Sequence, residues 1–158
     1  MPGNIIHICG PERSGKTYMA LGLAERLEKD FDLSHVIVGV DDILAIQKKL
    51  KKGKPTTIVV DAPKGTPHST ASKYKLVETM IHLAARGNNV IMTGYPGNGL
   101  YEALVETSIK FVASRDINII GIDLHSYNEP DYLRVLGIEP SKGLMNKYDT
   151  KFKEAIKK

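Results

Sequence analysis

The sequence predicts an α/β domain of three layers, a mainly parallel sheet covered on both faces by helices, with an antiparallel hairpin edge added near the C-terminus. Three observations lead there. Four short apolar runs, "NIIHIC", "HVIVGV", "TTIVV" and "VIMTG", alternate with segments of helical spacing. Their near-continuous apolar character suits strands buried on both faces. A later stretch, "IKFVASRDINIIGIDLHSY", reads instead as two strands around a turn at Arg115 to Asn118.

The elements follow in order. "NIIHIC" is a strand that stops at Gly10, and Lys16 to Lys29 carries Met19, Ala20, Leu23, Ala24 and Leu27 at helical intervals. "HVIVGV" is the second strand. Asp41 and Asp42 then stand where a helix N-cap is wanted, and Ile43, Leu44, Ile46 and Leu50 give that helix a buried side. Gly53 and Pro55 end it. "TTIVV" finishes at Asp61, and the punctuated "APKGTPHS" is a loop. A long helix starts at Thr70, with Val77, Met80, Ile81 and Ala84 on one face, and "RGNN" closes it. "VIMTG" is a strand, "GYPGNG" a loop, and a short helix runs from Leu100 to about Glu106. After the hairpin, "NEPDYLRVLG" is a brief capped helix.

At 158 residues the whole chain, 1–158, reads as one domain, with residues 147–158 a basic C-terminal tail or short helix. Cys9 is the single cysteine, which excludes a disulfide framework; it reads as a small core residue. The five histidines have no ligand spacing, which argues against a metal cluster. "MPGNIIHICG" has neither a charged start nor a long enough apolar run for export or a membrane span, so a cytoplasmic protein with no membrane partner is expected. Net charge is +4, concentrated in "KKLKKGK" and "KYDTKFKEAIKK". A polyanion partner suits these lysines; solvated helix faces explain them equally well.

The sharpest chemistry lies in "GPERSGKT", Gly10 to Thr17. Gly10 and Gly15 permit backbone conformations closed to other residues, so successive N–H groups converge on phosphate oxygens. The lining is Gly10, Pro11, Glu12, Arg13, Ser14, Gly15, Lys16 and Thr17, with Tyr18 next in line to stack on a base. The following helix directs its positive end at the same place. Lys16 is a point charge for the β- and γ-phosphates, and Thr17 a hydroxyl for Mg2+. Tyr95, in the loop after Thr93, is the other candidate to stack on a base, and half-buried packing explains either tyrosine equally well. Asp61, at the C-terminal end of its strand, stands where ligands enter open α/β sheets and where it holds Mg2+ through a water; a turn or helix cap is its other use.

"GPERSGKT" and "IVVDAP" resemble the Walker A and Walker B motifs of P-loop NTPases. The order of elements resembles the division with an added strand between the two Walker strands, which includes RecA, the FtsK/HerA motors and viral packaging ATPases. The resemblance implies a P-loop NTPase fold, ATP with Mg2+, and a polar sensor at the tip of the added strand, where Thr93 falls. "NKYDTKF" is similar to a stretch near the end of small viral packaging ATPases. One departure stands out: no glutamate follows Asp61, where Ala62 and Pro63 come next. Asp42, Asp41 and Glu12 are the acids left to orient an attacking water, the two aspartates equally readable as caps. Arg115, at the expected turn, is the candidate to reach a neighbour's nucleotide in a ring; a solvated turn residue is the alternative.

The leading expectation is Mg2+-dependent ATP binding and hydrolysis by an oligomeric motor acting on DNA, viral genome packaging being one form. The loops "APKGTPHSTASKYK" and "GYPGNG" are its candidate DNA contacts. A kinase of the nucleotide or nucleoside type is the runner-up, although no segment clusters arginines as a lid. A nucleotide-gated interaction module with weak hydrolysis is the third reading. The choice of ATP over GTP is not encoded in any base-reading motif.

Overall fold

The apolar runs fold as strands β1 (Asn4–Cys9), β2 (Val36–Val38), β3 (Thr57–Asp61), β4 (Asn89–Gly94) and β5 (Asn118–Asp123). Between and after them lie helices α1 (Lys16–Leu27), α2 (Thr70–Ala85), α3 (Leu100–Lys110) and α4 (Lys142–Ile156). The computed structural model describes residues 3–11, 15–31, 35–38, 55–61, 70–94, 99–110, 117–124 and 139–156. The strands form one sheet in the order β2-β3-β4-β1-β5, every pairing parallel. β4 therefore lies between β1 and β3.

Strand parity assigns each side chain to a layer. Ile5, Ile58, Val60, Val90 and Met92 face α2 and α3, meeting Val77, Met80, Ile81, Leu100 and Leu104 in one core. Their neighbours Ile6, Ile8, Val59 and Ile91 face the other way, onto Met19, Ala20, Leu21 and Ala24 of α1 and Leu144 and Tyr148 of α4. The domain is a three-layer α/β sandwich. The same count fixes the strand tips: Asp61 follows Val59 by two, and Thr93 follows Ile91 by two. Both polar tips thus point to the α1 side.

Polar residues set the opposite, N-terminal end of the sheet. Asn4 donates to Asn89 Oδ1 from its backbone at 3.1 Å and its side chain at 3.0 Å, and Asn118 donates to Asn4 Oδ1 at 3.1 Å. This ladder aligns β4, β1 and β5. "RGNN" closes α2 as expected: Gly87 takes φ 99°, and Asn88 caps through its side chain to the Leu83 carbonyl at 2.9 Å.

Three expectations change. α3 continues past Glu106 to Lys110, so Ile109 and Lys110, read as the start of the hairpin, are helical. Leu100, Ala103, Leu104 and Thr107 keep the helical period going on the buried side, while Ile109 is 81% exposed. The second expected hairpin strand is present as β5, but it pairs parallel with β1, and no antiparallel pairing occurs among the described residues. Of the basic C-terminal segment, residues 147–156 take the helical alternative, within a helix that starts at Lys142. Cys9 is half-buried, not a core residue. No helix among the described residues is long and apolar enough to cross a membrane. The helix expected at 43–50, the loops at 62–69 and 95–98, the residues 111–116 of the hairpin and the capped helix at 128–137 lie outside the described residues.

Candidate functional site

At the C-terminal ends of β1, β3 and β4 the sequence places a glycine turn, an acid and a threonine, and the fold gathers them beside the start of α1. Gly10 leaves β1 with its N–H bonded to the Gly94 carbonyl at 3.2 Å. Gly15 is the N-cap of α1, at φ 94° and ψ 19°, with no side chain capping the helix. That left-handed conformation disfavours any residue with a Cβ. Gly15→Ala is expected to cost about 1–2 kcal/mol of folding stability, read as a lowered urea midpoint; an unchanged midpoint would show that the turn relaxes freely.

Lys16 opens the helix. It is 93% buried by its 7% exposure, and its ammonium donates to the carbonyls of Gly10 at 2.8 Å and Pro11 at 2.7 Å. A buried cation at the positive end of a helix is electrostatically unfavourable by itself. The uncapped helix end and the ammonium together make a place where an anion is favoured. No acid stands in the first turn of α1.

Beside this sits a hydroxyl–carboxylate cluster. Asp61, 2% exposed, accepts from Thr17 on Oδ2 at 3.0 Å and from Thr93 on Oδ1 at 2.7 Å. A third donor arrives from α4: the Tyr148 hydroxyl also bonds Asp61 Oδ2. The phenol is held above its ordinary pKa, chiefly by burial and then by the adjacent carboxylate charge. Thr17 and Asp61 offer two hard oxygen donors side by side, the kind that Mg2+ takes. Among the described residues no group of three or more His, Cys, Asp or Glu side chains is placed to hold a metal ion.

α4 is fastened to the C-terminal part of α1. Glu25 accepts from the Ser141 backbone at 2.6 Å and from its hydroxyl at 2.8 Å, and Ser141 Oγ in turn accepts from the Leu144 N–H at 3.2 Å as the helix cap. Tyr18, expected to stack on a base, donates its hydroxyl to Glu139 at 2.8 Å.

On the far face of β1, His7 is buried against Tyr101, with ring centroids 5.6 Å apart. Burial pushes its imidazole below the ordinary value, while Glu102 and Asp123 pull it back up. Burial likewise raises the Cys9 thiol, with Asp123 adding to the rise and Lys16 opposing it.

Of the residues singled out from sequence, Gly10, Pro11, Gly15, Lys16, Thr17, Tyr18, Asp61 and Thr93 converge on one end of the sheet. Glu12, Arg13, Ser14, Asp41, Asp42 and Arg115 lie outside the described residues. Tyr148 was missed as a site residue, although it sits in the quoted "NKYDTKF"; nothing local signals a contact with a residue 87 positions away.

No protein-family model matches the sequence, and no curated protein matches it either. Among solved structures the chain is similar to one titled "Crystal structure of APE1195", at 16% identity and a TM-score of 0.46. That match covers 95% of this chain and 73% of the other. A likeness of that size supports no conclusion about function.

Proposed function

We propose that the chain is a P-loop NTPase of the added-strand division, binding ATP with Mg2+ and hydrolysing it as a homo-oligomeric, cytoplasmic motor on DNA. One observation carries the reading: β4 lies between β1 and β3, and its tip residue Thr93 bonds the same Asp61 that Thr17 bonds. An added strand with a polar tip is what the Walker resemblance implies, and a mere connecting turn gives no reason for that three-residue convergence. The anion-favouring start of α1 supports the phosphate role of Gly10 to Thr17. The residues fit the ions: Lys16 meets phosphate oxygens, and Thr17 and Asp61 hold Mg2+. Bound there, Mg2+ supplies neutralising charge for the β- and γ-phosphates.

Asp42, Asp41 or Glu12 orients the attacking water, and Arg115 reaches a neighbouring subunit's nucleotide. This reading keeps the antiparallel hairpin edge expected near the C-terminus. DNA is the partner that the net charge of +4 suits, with viral genome packaging as one form.

Phosphate release from MgATP, measured with and without double-stranded DNA, tests the motor. DNA is expected to raise turnover several-fold, and the stimulation to fade as salt rises. Transfer of phosphate to a nucleoside would replace the motor with a kinase. Binding without turnover, indifferent to DNA, would leave a nucleotide-gated module.

A further inference from the structure

We propose that Tyr148 guards the metal position, and that Mg2+ loading displaces its hydroxyl from Asp61 and loosens the C-terminal helix. The inference rests on the reading of Thr17 and Asp61 as the Mg2+ site. The argument is one of acceptor capacity. A carboxylate offers about four lone-pair positions over its two oxygens. On Asp61, Oδ1 accepts from Thr93, and Oδ2 accepts from both Thr17 and Tyr148. Three of the four positions are taken, two of them on Oδ2, the oxygen that Thr17 also bonds. A cation held by Thr17 and Asp61 would compete with the phenol for that oxygen. The phenol is a neutral donor, and a dication outcompetes it once phosphates complete the metal's shell.

The position of Tyr148 turns this exchange into movement. α4 is anchored at its start, where Ser141 bonds Glu25 of α1, the helix that also carries Thr17. Tyr148 lies roughly two turns further on. Its ring stacks on Phe152, with centroids 6.0 Å apart, so the two aromatic groups shift together. The anchored start acts as the pivot, and the released part carries Lys151 and Lys153. A basic helix is thereby tied to the occupancy of the metal site.

The test uses the whole chain and a non-hydrolysable ATP analogue, titrated in Mg2+ and in EDTA. Tyr148→Phe removes the competing hydroxyl while keeping the ring and its packing. It is expected to tighten binding in Mg2+ roughly tenfold, the scale of one charge-assisted hydrogen bond, and to leave binding in EDTA unchanged. In the unaltered protein, hydrogen exchange over residues 145–156 is expected to speed up with analogue plus Mg2+, but not with analogue in EDTA. If Tyr148→Phe binds no tighter in Mg2+, or exchange in α4 does not respond, the guard is refuted while the site stands. If the unaltered protein itself gains nothing from Mg2+, the site reading falls and takes the guard with it.

Discussion

Lys16→Ala is expected to weaken ATP binding at least about a hundredfold, in Mg2+ and in EDTA alike. Lys16 is 7% exposed, and its ammonium is held by two loop carbonyls, those of Gly10 and Pro11. The ammonium lies at the positive end of a helix, where an added anion is favoured. On the proposed reading, the ammonium would exchange neutral carbonyls for charged phosphate oxygens. Each charge-assisted hydrogen bond is worth about 1.5–3 kcal/mol, and two such bonds correspond to roughly a hundredfold or more in affinity. Calorimetric titration measures it. The fold should survive, because removing a buried charge offsets the cost of leaving two carbonyls without their donor, and the melting temperature checks this. Lys16→Arg is not expected to rescue binding, since a planar guanidinium does not fit the space of a point charge. If Lys16→Ala binds within about threefold of the unaltered protein, the phosphates are not bound at this turn, because a single lost contact of this kind already exceeds that factor.

The parts of the fold and site that were readable in the sequence share a physical cause. β1, β3 and β4 are buried on both faces, so each appears as a near-continuous apolar run, and in β3 and β4 a polar residue marks the tip. That is why Asp61 and Thr93 stand out in the sequence although their contact joins residues 32 apart. Gly15 and Lys16 stand out in the sequence because a glycine turn followed by a lysine at a helix start is a local pattern. β5 shows where legibility ends. Its apolar pattern announces a strand, but strand direction depends on where the connection crosses, and nothing in "NIIGID" encodes that. The β-branched Ile109 mimicked a strand start while sitting on the exposed side of α3.

α4 was obscured differently. Leu144, Tyr148 and Phe152 recur at intervals of four and form its packed side, but the lysines between them dilute the pattern into an apparently polar tail. Its key contact joins residues 87 apart, a distance at which local periodicity is silent.

Asp61→Ala is expected to separate the metal from the nucleotide. Turnover should fall at least about a hundredfold, the scale on which removing one preorganised electrostatic group acts in an active site. Affinity in EDTA should stay near that of the unaltered protein, because Lys16 and the start of α1 are untouched. What disappears is the gain in affinity on adding Mg2+. This pattern distinguishes Asp61 from Lys16, whose loss removes binding under both conditions. The substitution also strands three hydroxyls, since Thr17, Thr93 and Tyr148 all donate to this one carboxylate. Thr93 is 1% exposed, and a buried donor without an acceptor costs about 1–3 kcal/mol. Removing the carboxylate's own burial cost works in the opposite direction, so stability alone is a poor reporter of its role. Asp61→Asn resolves the two effects: it keeps the side-chain shape and one acceptor oxygen while discarding the charge. If the charge holds the metal, the asparagine variant loses the Mg2+ gain as fully as the alanine variant. If Asp61 serves only to order the three hydroxyls, the asparagine variant keeps most of that gain, and the carboxylate is a structural acceptor at the tip of β3.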